Sequence, residues 1–99
     1  MIRILDLGSS NGKAVIAMVA NDDDGERVTF FACKPVEKAA MLNEMTKSLD
    51  ASAEIIEDMA REGVEPSNEA VVKRLREQGV LKRLRAEGRR LTAEARKSI

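Results

Sequence analysis

Gly63-Val64-Glu65-Pro66-Ser67-Asn68-Glu69 joins two parts of the chain that differ in kind. Glycine can take the left-handed conformation that closes a helix, and a Pro-Ser pair can open the next one with the serine hydroxyl as cap. Gly63 therefore reads as a helix stop and Ser67 as a helix start. The charge reverses at the same place. Residues 1–66 hold seven Lys and Arg against thirteen Asp and Glu, a balance of −6, while residues 67–99 hold ten against four, a balance of +6. The formal net charge of zero thus conceals an acidic body and a basic arm. A basic arm attracts nucleic acid, an acidic partner or the acidic part of another copy, and the same composition also suits a solvated helix face.

Working back towards the amino terminus, Ile2 to Leu7 is a branched, apolar run interrupted by Arg3 and Asp6, and it reads as a strand. Gly8-Ser9-Ser10-Asn11-Gly12 supplies a turn, with Asn-Gly the strongest hairpin signal in the chain. Lys13 to Ala20 reads as a second, central strand. Asn21 to Glu26, with three consecutive aspartates and a glycine, is an exposed turn. Arg27 to Cys33 is a third strand, in which Val28 and Phe30 share one face while Phe31 and Cys33 share the other. Three strands joined by tight turns predict an antiparallel meander over residues 1–34.

Pro35 ends the sheet, and the period changes to that of a helix. Met41, Leu42, Met45, Leu49, Ile56, Met59 and Ala60 recur at three- and four-residue spacing across residues 36–63. This segment reads either as one long helix or as two, with a break near Ser48 to Asp50 favoured, and its apolar stripe is expected to pack on the sheet. Beyond Ser67, the residues Ala70, Val71, Val72 and Leu75 give the next helix an apolar face up to Gln78, and Gly79 stops or bends it. Val80, Leu81 and Leu84 continue the pattern to Gly88, and Leu91 to Ile99 reads as a final helix capped by Thr92 or its neighbours. The stop-and-cap pattern of Glu62-Gly63, Ser67, Glu69-Ala70 is echoed at the same spacing by Glu87-Gly88, Thr92, Glu94-Ala95. The whole reads as one α+β domain, residues 1–99, with a three-stranded meander followed by three to four helices. Residues 67–99 form its basic helical segment.

Ninety-nine residues allow one modest core and exclude a two-lobed nucleotide-binding body. With two Phe, no Trp and no Tyr, that core is aliphatic, drawn from Ile, Val, Leu and five Met, and stacking on bases is nearly unavailable. Cys33 is the only cysteine, so an internal disulfide is excluded. Its place in an apolar strand predicts a small buried residue rather than a nucleophile. The chain has no histidine, which argues against zinc and leaves Cys33 without a base. Asp22, Asp23 and Asp24 lack the alternating ligand pattern of a calcium loop, and Glu54, Glu57, Asp58 and Glu62 read as the wet side of a helix. Neither enzymatic activity nor a cofactor or metal is expected. No run is long enough for a membrane span and the amino terminus lacks a signal-peptide layout, so the expected location is cytoplasmic.

Two stretches resemble known families. Ile4-Leu5-Asp6-Leu7-Gly8-Ser9-Ser10-Asn11-Gly12-Lys13 resembles the first phosphate-binding hairpin of actin-like ATPases. That resemblance implies a metal-directed role for Asp6 and phosphate contacts from Ser9, Ser10 and Lys13. The same residues also resemble the first motif of adenosylmethionine-dependent methyltransferases, but Ser10 replaces its middle glycine, and the following β-rich run favours a structural hairpin. A phosphate-cradling P-loop fails because three residues separate Gly8 from Gly12 and Ala14 stands at the metal-binding position. Ala53, Ile56, Met59, Glu62, Gly63, Pro66, Ser67, Val71 and Leu75 are similar to the opening of the helix-turn-helix of plasmid KfrA-type DNA-binding proteins. That likeness implies DNA binding by the helices that follow, although Arg76-Glu77-Gln78-Gly79 stands where that family has a Gly-Ser-rich turn.

The residues expected to contact nucleic acid are Lys73, Arg74, Arg76, Lys82, Arg83, Arg85, Arg89 and Arg90. Such side chains neutralise phosphates and release counterions without reading sequence. The expectation is a small non-enzymatic DNA- or RNA-binding regulator or accessory protein of plasmid or phage type. The alternative is a protein-interaction module, an adaptor or inhibitor of a host complex, or a self-associating homo-oligomer whose acidic and basic parts dock between copies.

Overall fold

The computed structural model describes residues 2–98. Three strands, β1 (Ile2–Ser10), β2 (Lys13–Asp22) and β3 (Gly25–Cys33), form an antiparallel sheet in the order β1-β2-β3. A single 3₁₀ turn at Pro35–Glu37 leads into α1 (Lys38–Glu62), and α2 (Asn68–Glu77) and α3 (Val80–Lys97) follow. This is the α+β meander with trailing helices that the sequence predicts.

Each strand runs two or three residues further into its turn than the apolar residues alone suggest, because backbone pairing continues through Ser9, Ser10, Asn21 and Asp22. What permits this is the brevity of the turns. Asn11 and Gly12 both have positive φ, 54° and 76°, the backbone that matches the twist of a two-residue hairpin. At the second turn the Asp24 N–H donates to Asp22 Oδ1 at 2.9 Å, and Arg27 pairs with the other oxygen of the same carboxylate. In β1 one extra residue is accommodated between the Asp6–Ile16 and Ser9–Ala14 pairs, a bulge at Leu7-Gly8.

The helical layer differs from the expectation in three ways. First, α1 is unbroken from Lys38 to Glu62. Ser48 does not cap a new helix, since its hydroxyl donates to the Met45 carbonyl at 3.1 Å within the existing turn, and Asp50 is exposed. Second, the buried stripe of α1 faces the other helices rather than the sheet. Ile55 and Met59 join Val71, Leu75, Val80 and Leu84 in one cluster that contains no strand residue. Ile56, expected in the stripe, is 43% exposed, because one residue is 100° of helix and α2 and α3 lie on the side of Ile55. The sheet meets the start of α1, where a 3.0 Å ion pair joins Lys38 to Asp6.

Third, α3 runs through Gly88 and Thr92 without a break, so the repeated stop-and-cap pattern is realised only once. At the first copy Gly63 has φ 75°, its N–H bonds the Ala60 carbonyl at 3.2 Å, and the Val64 N–H reaches back to Met59 at 2.9 Å. This is a Schellman closure. Ser67 then accepts from the Ala70 N–H and starts α2. At the second copy Gly88 stays helical, lying against Ala40 of α1. Ile99, the last residue of the expected final helix, lies outside the described residues, as does Met1.

The two glycines therefore predict opposite responses to alanine. Gly63→Ala is expected to lower stability by about 1 kcal/mol, because a Cβ is disfavoured in the left-handed region. Gly88→Ala is expected to raise it by about 0.5–1 kcal/mol from helix propensity. The added methyl would sit 3.6 Å from the Ala40 Cβ, an ordinary contact. Urea unfolding of both variants checks the pair, and equal signs would contradict this geometry.

The core is aliphatic, as composition requires. Ile16, Ile55 and Met59 are the largest fully buried side chains, and Cys33 is a free, buried thiol. The molecule is nevertheless drawn out, with extents of 50 × 33 × 15 Å. Its radius of gyration is 15.5 Å, against roughly 13 Å for a compact domain of this length. No helix among the described residues is long and apolar enough to cross a membrane.

Candidate nucleic-acid interface

The carboxy-terminal cations are sorted by two elements, α2 and α3. On α3, Val80, Leu84 and Leu81 turn towards α1 and α2, which leaves the opposite side to solvent. Lys82, Arg85 and Arg89 are spaced by three and four residues and Arg96 follows seven later, so all four lie along one exposed line of the helix. From position 82 to 96 that line is about 21 Å long at 1.5 Å per residue. Arg83, Arg90 and Lys97 repeat at seven residues on its flank.

Ion pairing divides the set further. Arg74 is bonded to Glu62 at 2.6 Å, linking the last turn of α2 to the end of α1, and Arg90 pairs with Glu94 one turn on. Lys82, Arg83, Arg85, Arg89 and Arg96 form no ion pair among the described residues. Lys73 and Arg76 are exposed on α2, but they share a shallow surface with Asn68, Glu69, Val72 and Glu77, where the acids dilute the field. The eight expected cations are thus not one patch. Lys82, Arg85 and Arg89 are drawn together on α3, Arg74 is spent on a structural pair, and Arg96 was missed. Its signal was available: it stands two helical turns after Arg89, and only the expected helix break at Gly88 hid the alignment.

Arg85, Arg89 and Arg96 also line one wall of a groove of about 570 Å³ between α3 and the start of α1. Its other residues include Ala40, Glu44, Gly88 and Thr92. Gly88 lies against Ala40 across this groove. The groove continues the cationic line rather than forming a second site.

The orientation of α3 is set by Glu87, on the side facing α1. Its carboxylate accepts from Asn43 Nδ2 and from Lys47 Nζ, each at 3.0 Å. The Asn43 bond first, then the Lys47 ammonium, hold this carboxyl below the usual glutamate range, with weaker help from Arg83. A depressed folded-state value contributes stability that is whole above the unfolded value and is lost as pH falls through the folded one. Thermal unfolding should therefore move to lower temperature as pH drops through and below the ordinary carboxylate range. Glu87→Gln should make that acid limb shallower. An unchanged limb would mean that these bonds contribute nothing to the docking of α3.

The amino-terminal hairpin is placed differently. Asp6 Oδ1 accepts from the Gly8 N–H at 2.9 Å and Oδ2 faces Lys38, and these bonds keep its carboxyl low. The aspartate is engaged in shaping the bulge and anchoring α1. Ser9, Ser10 and Lys13 are exposed beside it, with Ser10 and Lys13 paired across the turn. Burial, with the charge of Glu37 as a second cause, pushes the Cys33 thiol up, which disfavours a thiolate.

Among the residues that carry the helix-turn-helix likeness, Met59, Val71 and Leu75 are buried together, Gly63 and Ser67 make the joint, and Glu62 holds Arg74. Only Gln78 and Gly79 separate α2 from α3, with Gly79 at φ 69°. Comparison of the chain with protein-family models, with curated proteins and with solved structures returned no match.

Proposed function

We propose that this chain is a small, non-enzymatic nucleic-acid-binding protein, a regulator or accessory factor of plasmid or phage type, which binds through the exposed face of α3. The observation that carries the reading is the line of Lys82, Arg85, Arg89 and Arg96. These are four cations on one side of an 18-residue helix that form no ion pair among the described residues, with Glu87 turned inward. Phosphates spaced along a strand would meet such a line as successive charges, and each neutralised phosphate releases counterions. The near absence of aromatics favours a duplex over a stacked single strand. Binding of this kind positions the protein on a backbone and carries no sequence preference by itself.

The test is fluorescence anisotropy with labelled duplex DNA and RNA across a salt series. The expected result is micromolar affinity at low salt that weakens steeply as salt rises. No binding at low salt, or an affinity indifferent to salt, removes the reading. A second reading, a protein-interaction module without nucleic-acid affinity, is favoured by the apolar side chains left on the surface, among them Phe30 at 66% and Val72 at 38% exposure.

A further inference from the structure

The groove between α3 and the start of α1 contains a group that phosphate binding alone does not call for. Arg85, Arg89 and Arg96 line it from α3, and the carboxylate of Glu44 lines it from α1. Glu44 is exposed and forms no ion pair among the described residues, although three cations share the groove with it. The neighbouring carboxylates of α3 are engaged, Glu87 by Asn43 and Lys47, and Glu94 by Arg90. Thr92 adds a half-buried hydroxyl to the same groove, and a hydroxyl can donate or accept.

A nucleic-acid backbone held by these arginines brings its phosphates and sugars up to Glu44. Against DNA the carboxylate only repels, since phosphate and deoxyribose along the chain offer acceptors and no donor. RNA differs by one group per nucleotide, a 2′-OH that donates as well as accepts. Base edges also carry donors, but the major groove of B-DNA is about 12 Å wide and admits a single helix, and its minor groove is about 6 Å wide. Two helices packed with their axes about 8–10 Å apart are about 20 Å broad, so a surface made jointly by α1 and α3 stays outside both. The wide, shallow minor groove of A-form RNA displays its 2′-hydroxyls between rows of phosphates, and a surface of that breadth can lie across it.

We infer that this groove selects double-stranded RNA over DNA. The Glu44 carboxylate accepts a hydrogen bond from a ribose 2′-OH while Arg85, Arg89 and Arg96 hold the adjoining phosphates. The inference rests on the proposed role of α3 and names the ligand class of that same face. It adds a preference for the sugar and none for the base sequence.

Binding at one fixed low salt concentration should be compared for three duplexes of the same sequence: RNA, DNA, and 2′-fluoro RNA, which keeps the A-form shape and the phosphates but has no sugar donor. The wild-type chain should prefer RNA to both others by roughly tenfold, the worth of one hydrogen bond to a charged group. Glu44→Ala should bind all three within about threefold of one another, losing affinity for RNA and gaining it for DNA. Its circular dichroism melt should match the wild type, because Glu44 is on the surface. Equal wild-type affinity for RNA and DNA overturns the inference and leaves the role of α3 standing. A preference for RNA that extends to the 2′-fluoro duplex, or that survives Glu44→Ala, overturns it as well, since shape and not the carboxylate would then discriminate. Binding to none of the three removes the reading of α3 itself, and the inference with it.

Discussion

Met59→Ala is expected to cost about 2–5 kcal/mol, the range for truncating a fully buried methionine. Met59 is 1% exposed and sits in a cluster with Ile55, Val71, Leu75, Val80 and Leu84, to which all three helices contribute. The sheet adds no residue to that cluster, so the cavity has no second layer to collapse onto. A domain of this size has roughly 5–15 kcal/mol in total, which makes the loss a large fraction of what holds the helices together. Urea unfolding should place the midpoint lower by about 1–3 M at a slope near 2 kcal/mol/M. The informative control is Ile56→Ala, three residues earlier on the same helix and 43% exposed, expected to cost no more than about 1 kcal/mol. Equal losses at the two positions would mean that α1 is rotated relative to its described packing.

The second large effect is expected at the cationic line. Replacing Lys82, Arg85, Arg89 and Arg96 together with glutamine should abolish most duplex binding while leaving the fold intact, since all four are exposed. At about 0.9 per phosphate neutralised, four contacts give a slope near −3.6 in log affinity against log salt, or roughly a hundredfold between 50 and 200 mM. The quadruple variant should show a slope smaller by about that amount. Removing Arg74 and Arg90 instead should change the slope little, because Glu62 and Glu94 already occupy them. If the Arg74 and Arg90 variant loses as much as the quadruple one, the proposed face is wrong.

Elements whose cause is local were legible in the chain, and elements whose cause lies elsewhere were not. The Asn11-Gly12 turn, the Schellman closure at Gly63 and the cap at Ser67 depend on backbone groups within a few residues, and each is found where residue chemistry places it. The two faces of β3 followed in the same way from alternation. Ser48 and Gly88 misled because each can end a helix, whereas the Ser48 hydroxyl bonds a carbonyl three residues back and Gly88 stays helical beside Ala40. Apolar periodicity could not choose between Ile55 and Ile56 because both are isoleucine and the partner helices make the distinction. The cationic face was half visible. Composition found the arginines, but pairing to distant Glu62 removed Arg74, and an expected break concealed Arg96.

The unbroken length of α1 has a kinetic corollary. Twenty-five residues span about 37 Å, and the helix meets the sheet at its start while its buried residues Ile55 and Met59 pack with α2 and α3 near its end. The helical cluster contains no strand residue, so it and the sheet need not open in a single event. Amide protons of α2 and those of β2 should exchange through separate openings, and a cavity at Met59 should accelerate the first class while sparing the second.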